Sequence, residues 1–395
     1  MSEQIFHIIG ISDCNDLYLP PATQKVIAEG TVFSGGRRHH ELMKPYLPEG
    51  TVWIDITVPL SDVFARYAPY REIVVFASGD PLFFGFANTI KRELPESDIR
   101  LYPSFNSLQM LAHRMLLPYQ DMRAVSLTGR PWKEFDSALI RGEKLIGVLT
   151  DRTKTPAAIA SRMLDYGYSN YRMTIGEALG NEERERVRTL SLEAAVGGDP
   201  VFPNCLILER TSVRPRPFGI PESEFHLLDG RPRMITKMPV RLLSLSMLDL
   251  RNRRSFWDIG FCTGSVSIEA KLQFPELEVT SFEQRPEGKG LVDLNSRKFG
   301  TPGIRAIIGD FLETDVSGYT RPDAVFIGGH GGKLVEILQK IDTVLQPDGI
   351  IVFNSVSQES KELFYEGIRL TGRKVTDAVR LAVDTYNPIE ILKAK

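Results

Sequence analysis

The segment Trp257-Asp258-Ile259-Gly260-Phe261-Cys262-Thr263-Gly264-Ser265-Val266-Ser267-Ile268-Glu269 joins an apolar run to a helical spacing through a glycine-containing turn. Glycine lets backbone amides close on a ligand, and the start of the following helix favours a negative group such as a carboxylate. By itself the segment also fits a plain tight turn. The residues that follow add to it: Glu283 closes the next apolar run 25 positions after Asp258, about where an acidic side chain accepts hydrogen bonds from ribose hydroxyls. Gly309-Asp310 follows a third run, which puts Asp310 in reach of an adenine amino group. Phe326-Ile327-Gly328-Gly329-His330-Gly331-Gly332 closes a fourth, where open α/β sheets place their ligands. Asp258, Gly260, Gly264, Glu283, Asp310 and Gly328 are therefore candidates for holding a nucleotide-like cofactor. The plain alternative for the acidic ones is a solvated carboxylate at a strand end.

A different set of loops occupies the first half. Phe76-Ala77-Ser78-Gly79-Asp80-Pro81-Leu82-Phe83-Phe84-Gly85 also ends an apolar run, but Pro81 and the two aromatics make it unlike a dinucleotide fingerprint. Alone, Gly-Asp-Pro is a mere turn. Its companions are Phe33-Ser34-Gly35-Gly36-Arg37-Arg38-His39, Tyr102-Pro103-Ser104-Phe105-Asn106-Ser107-Leu108-Gln109, Ser126-Leu127-Thr128-Gly129-Arg130, Thr150-Asp151-Arg152-Thr153-Lys154-Thr155-Pro156 and Ile175-Gly176-Glu177-Ala178-Leu179-Gly180. No Ser-His-Asp or Cys-His arrangement stands out. The six histidines show no metal-ligand spacing beyond the adjacent His39-His40, so no protein-bound metal is expected.

The elements that must position these loops are short β-branched runs alternating with helix-length stretches, at residues 5–11, 73–77, 124–127, 145–149 and 205–208, which reads as α/β. After Leu208 a segment with three prolines and three arginines, residues 209–221, cannot sustain a helix or a central strand, and a domain boundary is expected near residue 212. Beyond it an amphipathic stretch over residues 239–250 puts Val240, Leu243, Met247 and Leu250 on one helical face. Further strands are expected at residues 255–259, 279–282, 306–308, 324–327 and 350–353, with a closing antiparallel hairpin at 375–383 and 389–392 around Asn387-Pro388.

At 395 residues the chain suggests two or three domains of ordinary size. Its 42% hydrophobic and 25% charged residues are those of a soluble protein, and 48 Lys and Arg against 50 Asp and Glu leave no global field to recruit nucleic acid or an anionic membrane. Three widely spaced cysteines, Cys14, Cys205 and Cys262, exclude a disulfide framework and favour a reducing cytoplasm. No run of 18 apolar residues and no basic-then-apolar leader occurs, so neither export nor membrane spanning is expected.

Asp258-Ile259-Gly260 and Phe326-Ile327-Gly328-Gly329 resemble class I S-adenosylmethionine-dependent methyltransferases. With Gly219-Ile220-Pro221-Glu222-Ser223-Glu224-Phe225 and Met234-Ile235-Thr236-Lys237-Met238-Pro239-Val240-Arg241 the match narrows to the CbiT-like domain, over residues 213–395. That resemblance adds Thr236 to the cofactor site. One departure is Cys262, where the family usually has glycine. The loops of the first half resemble the CbiE-like domain of the tetrapyrrole methylase family, over residues 1–212, in which the cofactor lies folded between two α/β lobes. This resemblance implies that residues 77–80, among them Ala77, Gly79 and Asp80, together with Asn106, Ser107, Thr150 and Asp151, line a first cofactor site. It departs at the opening loop, Ile9-Gly10-Ile11-Ser12-Asp13-Cys14, and at Thr128, where relatives often carry histidine.

The fold expected is thus α/β: a two-lobed tetrapyrrole methylase domain followed by a Rossmann-like class I methyltransferase domain. A CbiE-like half ahead of a CbiT-like half resembles the fused CobL or CbiET family of corrin-ring synthesis. The resemblance implies S-adenosyl-L-methionine as cofactor, a tetrapyrrole substrate methylated at two bridge carbons, 5 and 15, and loss of carbon dioxide from an acetate arm. Such a substrate carries several carboxylates. Arg37, Arg38 and Arg130 in the first half, and Arg231, Arg233, Lys237, Arg241 and His330 in the second, are the candidates to meet it. A homo-oligomer is expected, without nucleic acid or membrane partners. The competing readings are a methyltransferase acting on RNA or another small molecule, a nicotinamide oxidoreductase using residues 260–264 as a degenerate dinucleotide loop, and a non-catalytic first half.

Overall fold

The computed structural model describes residues 4–12, 17–383 and 388–395; Asp13, Cys14 and Asn387, read above, lie outside the described residues. The chain separates into two compact units, Met1–Arg130 with Lys144–Ala160 and Tyr171–Arg210, and Pro131–Glu143 with Ser161–Asn170 and Thr211–Lys395. The last break stands beside the boundary expected at 212. Residues 131–143 and 161–170 group with the second unit, a division that the ranges 1–212 and 213–395 do not contain.

The first unit holds two five-stranded sheets. One comprises β1 (Ile5–Ile11), β2 (Val32–Gly35), β3 (Val52–Asp55), β4 (Glu72–Ser78) and β5 (Asp98–Tyr102) in the order β3-β2-β4-β1-β5, and every pairing is parallel. Strands covered on both faces read as unbroken apolar runs, and residues 73–77 of β4 are all buried. The other sheet comprises β6 (Arg123–Ser126), β7 (Leu145–Leu149), β8 (Tyr171–Glu177), β9 (Arg186–Leu190) and β10 (Asn204–Arg210), ordered β6-β7-β10-β8-β9, parallel only between β6 and β7. Five of these strands, β2, β3, β5, β8 and β9, go beyond the sequence expectation. All five lie at or next to a sheet edge, where β3 and β9 place polar residues in solvent and blur the apolar signal.

The second unit is built on a seven-stranded sheet of β11 (Ser255–Ile259), β12 (Glu278–Glu283), β13 (Ile304–Ile308), β14 (Ala324–Ile327), β15 (Ile350–Ser355), β16 (Val375–Leu381) and β17 (Ile389–Ala394). The order is β13-β12-β11-β14-β15-β17-β16; the first five strands are parallel, and β17 runs antiparallel to both β15 and β16. The order reverses between β11 and β14, whose last residues Ile259 and Ile327 are paired. In open sheets this switch point is where ligands bind, beyond the carboxyl ends of the strands. The amphipathic stretch forms the helix Met238–Met247, with Pro239 in its first turn, and stops where Asp249 takes φ 52°. Within this unit Ile140 shares a core cluster with Ile220, Phe225, Ile268 and Leu272, and the Tyr168 hydroxyl donates to the Gly300 carbonyl at 2.7 Å. Among the described residues no helix is long and apolar enough to cross a membrane.

Candidate active sites

At the β11/β14 switch point lies a cavity of about 660 Å³, bordered by Thr236, Lys237, Gly260, Thr263, Glu283, Asp310, Gly328 and His330 among others. Its floor is a close backbone approach. Gly260 has φ +74°, and a Cβ there would fall 2.6 Å from the Gly329 nitrogen, so only glycine lets the two loops meet. Gly328 completes the floor by donating to the Ile259 carbonyl at 2.8 Å. Glu283, 3% exposed at the end of β12, accepts from the Cys262 amide at 2.9 Å, and from the Arg285 amide and guanidinium at 2.9 and 3.1 Å. A carboxylate has about four acceptor positions, so one remains for a ligand hydroxyl. Asp310 accepts from the Leu312 amide and from Lys333 Nζ, both at 2.9 Å, and the lysine holds its carboxyl below the usual carboxylate range. Burial lowers the affinity of His330 for a proton.

Three expected residues stand behind this wall. Asp258 is fully buried and does not border the cavity. Its Oδ2 accepts from Ser267 Oγ at 2.6 Å, its Oδ1 has no partner among the described residues, and burial, with the Glu283 charge, pushes it up to about 7. Gly264 serves geometry: its φ of +75° turns the chain into the helix Ser265–Gln273. Arg241 corrects the expectation of a substrate cation. It is 0% exposed, pairs with the equally enclosed Glu269 at 2.5 Å, and donates to the carbonyls of Thr236 and Ile220. Its guanidinium is consumed in bracing the segment that carries Thr236 and Lys237.

Cys262 occupies the departure from glycine at φ +50°, the left-handed region that glycine favours. Burial, with the neighbouring Glu283 charge, pushes the thiol up to about 11, and it donates to the Met234 carbonyl at 3.1 Å. It is therefore a packed thiol rather than a nucleophile. Replacement by glycine relieves about 1–2 kcal/mol of left-handed strain while losing a comparable amount of buried side chain. Cys262→Gly is expected to leave stability within about 1 kcal/mol of the parent, whereas the β-branched Cys262→Val should cost more than about 2 kcal/mol by urea denaturation.

The first unit has its own cavity of about 570 Å³, bordered by Ala77, Gly79, Asn106, Ser107, Thr150, Arg38 and Arg130. Gly79 (φ +63°) is wedged between strands and loop: a Cβ would meet Asn106 Cα at 2.7 Å, and its amide donates to the Ile11 carbonyl at 2.8 Å. Asn106 caps the helix Ser107–Arg114 through a reciprocal box with Gln109. The Thr150 hydroxyl lies 2.6 Å from the Asn204 carbonyl, and Arg130 stacks 5.1 Å over the Phe84 ring. Asp80, Asp151 and Arg37 do not border this cavity. Asp80 spends its carboxylate on the Leu82 amide, which closes the turn. Asp151 gathers the amides of Gly129, Thr153 and Lys154, holding two loops together, and these donors keep its carboxyl well below the usual range. Arg37 points to solvent with 94% of its side chain exposed, paired to Glu41.

Both halves match known families. A model described as tetrapyrrole (corrin/porphyrin) methylases matches residues 6–195, and one described as precorrin methyltransferase domain matches residues 228–394. The chain is 29% identical over 361 residues to the precorrin-6Y C(5,15)-methyltransferase (decarboxylating) of Sinorhizobium sp, covering 91% of this chain and 86% of that one. To the cobalt-precorrin-6B C(15)-methyltransferase (decarboxylating) of Salmonella typhimurium it is 36% identical over 162 residues, covering 41% of this chain and 83% of that one. The chain belongs to the precorrin-6Y C5,15-methyltransferase (decarboxylating) family. The cobalt-precorrin-7 C(5)-methyltransferase of Salmonella typhimurium is a further relative of the family member described here, 28% identical over 188 residues, covering 47% of this chain and 90% of that one.

Several residues bordering the two cavities of this precorrin-6Y C5,15-methyltransferase family member escape sequence reading. Thr263, Arg285, Lys333 and Asn354 border the second, and His39, Phe84 and Asn204 the first. Arg285 and Thr263 lie within two residues of motif positions, so scanning past each strand end is the signal that finds them. Lys333 comes from the loop after β14 and Asn354 from the end of β15, which only the folded sheet brings together.

Proposed function

We propose that the chain transfers methyl groups from S-adenosyl-L-methionine to carbons 5 and 15 of a corrin precursor, precorrin-6Y or its cobalt form, and releases carbon dioxide from an acetate side chain, in cobalamin biosynthesis. The observation that carries this reading is the pair of separate strand-end cavities, one in each unit, each of a size usual for small-ligand sites and each floored by a glycine at positive φ. Bound there, S-adenosyl-L-methionine supplies a methyl group already made electrophilic by its sulfonium.

The second cavity fits that group. Thr263 borders it with a buried hydroxyl that has no partner among the described residues, Glu283 keeps an acceptor position for a ribose hydroxyl, and Gly260 and Gly329 bring bare backbone to the floor. Asp310 stands at the rim. The nucleophile is an electron-rich bridge carbon, and the conjugated ring itself accepts the electrons of decarboxylation, so the chain's work is alignment and exclusion of water. Lys237 and Arg285 at the second cavity, and Arg38 and Arg130 at the first, present charge to the ring's carboxylates. Two relatives with one methylation each in their names match 47% and 41% of this chain. That pairing supports carbon 5 for the first unit, and carbon 15 with carbon dioxide release for the second.

Incubation of the full chain with S-adenosyl-L-methionine and either metal-free or cobalt-bearing tetrapyrrole, read by mass spectrometry, should show two methyl additions and one loss of carbon dioxide. Calorimetry with S-adenosylhomocysteine should find two sites per chain. One site, or binding of NAD in its place, overturns the reading. Glu283→Ala removes a charge-assisted hydrogen bond and should weaken one of the two sites by about one to two decades, at about 1.5–3 kcal/mol, leaving the other unchanged.

A further inference from the structure

His39 borders the first cavity, and the reading above leaves it without a role. It lies on the helix Arg37–Met43, which is firmly seated: a Cβ on Gly35 would meet His39 Cβ at 3.0 Å, and the neighbouring His40 ring stacks on Trp53 with centroids 4.1 Å apart. The two ring nitrogens of His39 have different partners. The Gly36 amide donates to Nδ1 at 3.3 Å. An amide N–H only donates, so Nδ1 carries no proton and the hydrogen of the ring is on Nε2. Nε2 lies 3.0 Å from Oγ of Ser78, the last residue of β4, and the direction of that bond follows: Nε2 donates and the serine accepts. Burial and the Arg38 charge push the imidazole down to about 4, which keeps the ring neutral around pH 7.

A serine hydroxyl that accepts from a neutral imidazole still has its own hydrogen to place. Among the described residues His39 is the one hydrogen-bond partner of the Ser78 side chain, and Ser78 is exposed and borders the cavity. Resting on the function proposed above, we propose that Ser78 binds a carboxylate oxygen of a ligand in the first cavity, and that His39 is the positioning residue that turns the Ser78 hydrogen toward it. The carboxylate is favoured because Arg38 and Arg130 border the same cavity. Both ligands offer that chemistry, the ring through its acid side chains and the methyl donor through its amino-acid end.

The test uses the full chain, with kinetics of carbon 5 and carbon 15 methylation and calorimetry with S-adenosylhomocysteine. Ser78→Ala should weaken the ligand it holds by about ten- to a hundredfold. Ser78→Thr, which keeps the hydroxyl, should restore it. His39→Gln, which keeps an N–H near the position of Nε2, should lose less than His39→Ala. Carbon 15 methylation should stay at the parent level in all four. A raised KM for the tetrapyrrole with unchanged S-adenosylhomocysteine affinity assigns the carboxylate to the ring, and a fall in one of the two S-adenosylhomocysteine affinities assigns it to the methyl donor. Parent-level carbon 5 methylation and binding in Ser78→Ala overturn the proposal, as does equal loss of both methylations. A parent chain that methylates no tetrapyrrole overturns the function instead, and the calorimetric arm then still reads Ser78.

Discussion

Arg241→Ala is expected to destabilise the second unit by about 3–5 kcal/mol, the range for stripping one partner from a buried ion pair. Arg241 and Glu269 have fully enclosed side chains, so the loss leaves an uncompensated carboxylate with no route to water. Glu269 also accepts from the Gly219 and Ile220 amides, at 2.5 and 3.3 Å, and stands on the helix that starts at the glycine loop. Arg241 in turn ties down the Thr236 and Ile220 carbonyls. The same substitution therefore loosens the cavity wall formed by Thr236 and Lys237. Pairing Arg241→Met with Glu269→Leu should recover part of the loss, because an apolar pair needs no charge compensation, but the two amides are then left without an acceptor. Urea denaturation of the three variants is the measurement. A cost under about 1 kcal/mol for Arg241→Ala would show that water reaches Glu269.

Gly260→Ala should abolish ligand binding and chemistry in the second cavity alone. The new Cβ would lie 2.6, 2.7 and 2.8 Å from the Gly329 nitrogen, oxygen and Cα, distances that require backbone to move, on top of about 1–2 kcal/mol for a side chain at positive φ. The loops after β11 and β14 would separate at the switch point. Gly79→Ala is the matching change in the first cavity, where the obstruction is Asn106 Cα at 2.7 Å. Each variant should keep one methylation and lose the other by more than about a hundredfold, read from product mass. Loss of both in either variant would mean that the two cavities do not act separately.

The buried, β-branched parts of this chain were the legible ones. β1, β11 and β14 match the expected ranges residue for residue, since strands covered on both faces carry apolar runs, broken here by His7 in β1 and by Ser255 and Asp258 in β11. The closing antiparallel pair was visible through its break at Pro388. Edge strands such as Arg186–Leu190, where Arg186, Arg188 and Thr189 interrupt the apolar residues, carry little of that signal. Within the sites, glycines and carboxylates at strand ends could be ranked from spacing, because backbone geometry dictates them. Spacing did not reveal which way a side chain faces. Arg241 and Asp258 read as ligand contacts and prove to be enclosed supports, while Lys333 reaches Asp310 across 23 positions. Charge type announces what a residue can bind, but only packing decides whether it reaches solvent.

Residues 131–143 and 161–170 belong with the second unit although they lie inside the first half of the chain. During synthesis their partners are still unmade. Ile140 waits for Ile220, Ile268 and Leu272, and Tyr168 waits for the Gly300 carbonyl. At about 5–20 residues per second that interval is on the order of ten seconds, long enough for the preceding sheets to form first. The nascent chain thus displays two helical segments as unfinished apolar surface, a natural point for a chaperone to engage and a place where a stalled ribosome would leave an aggregation-prone product.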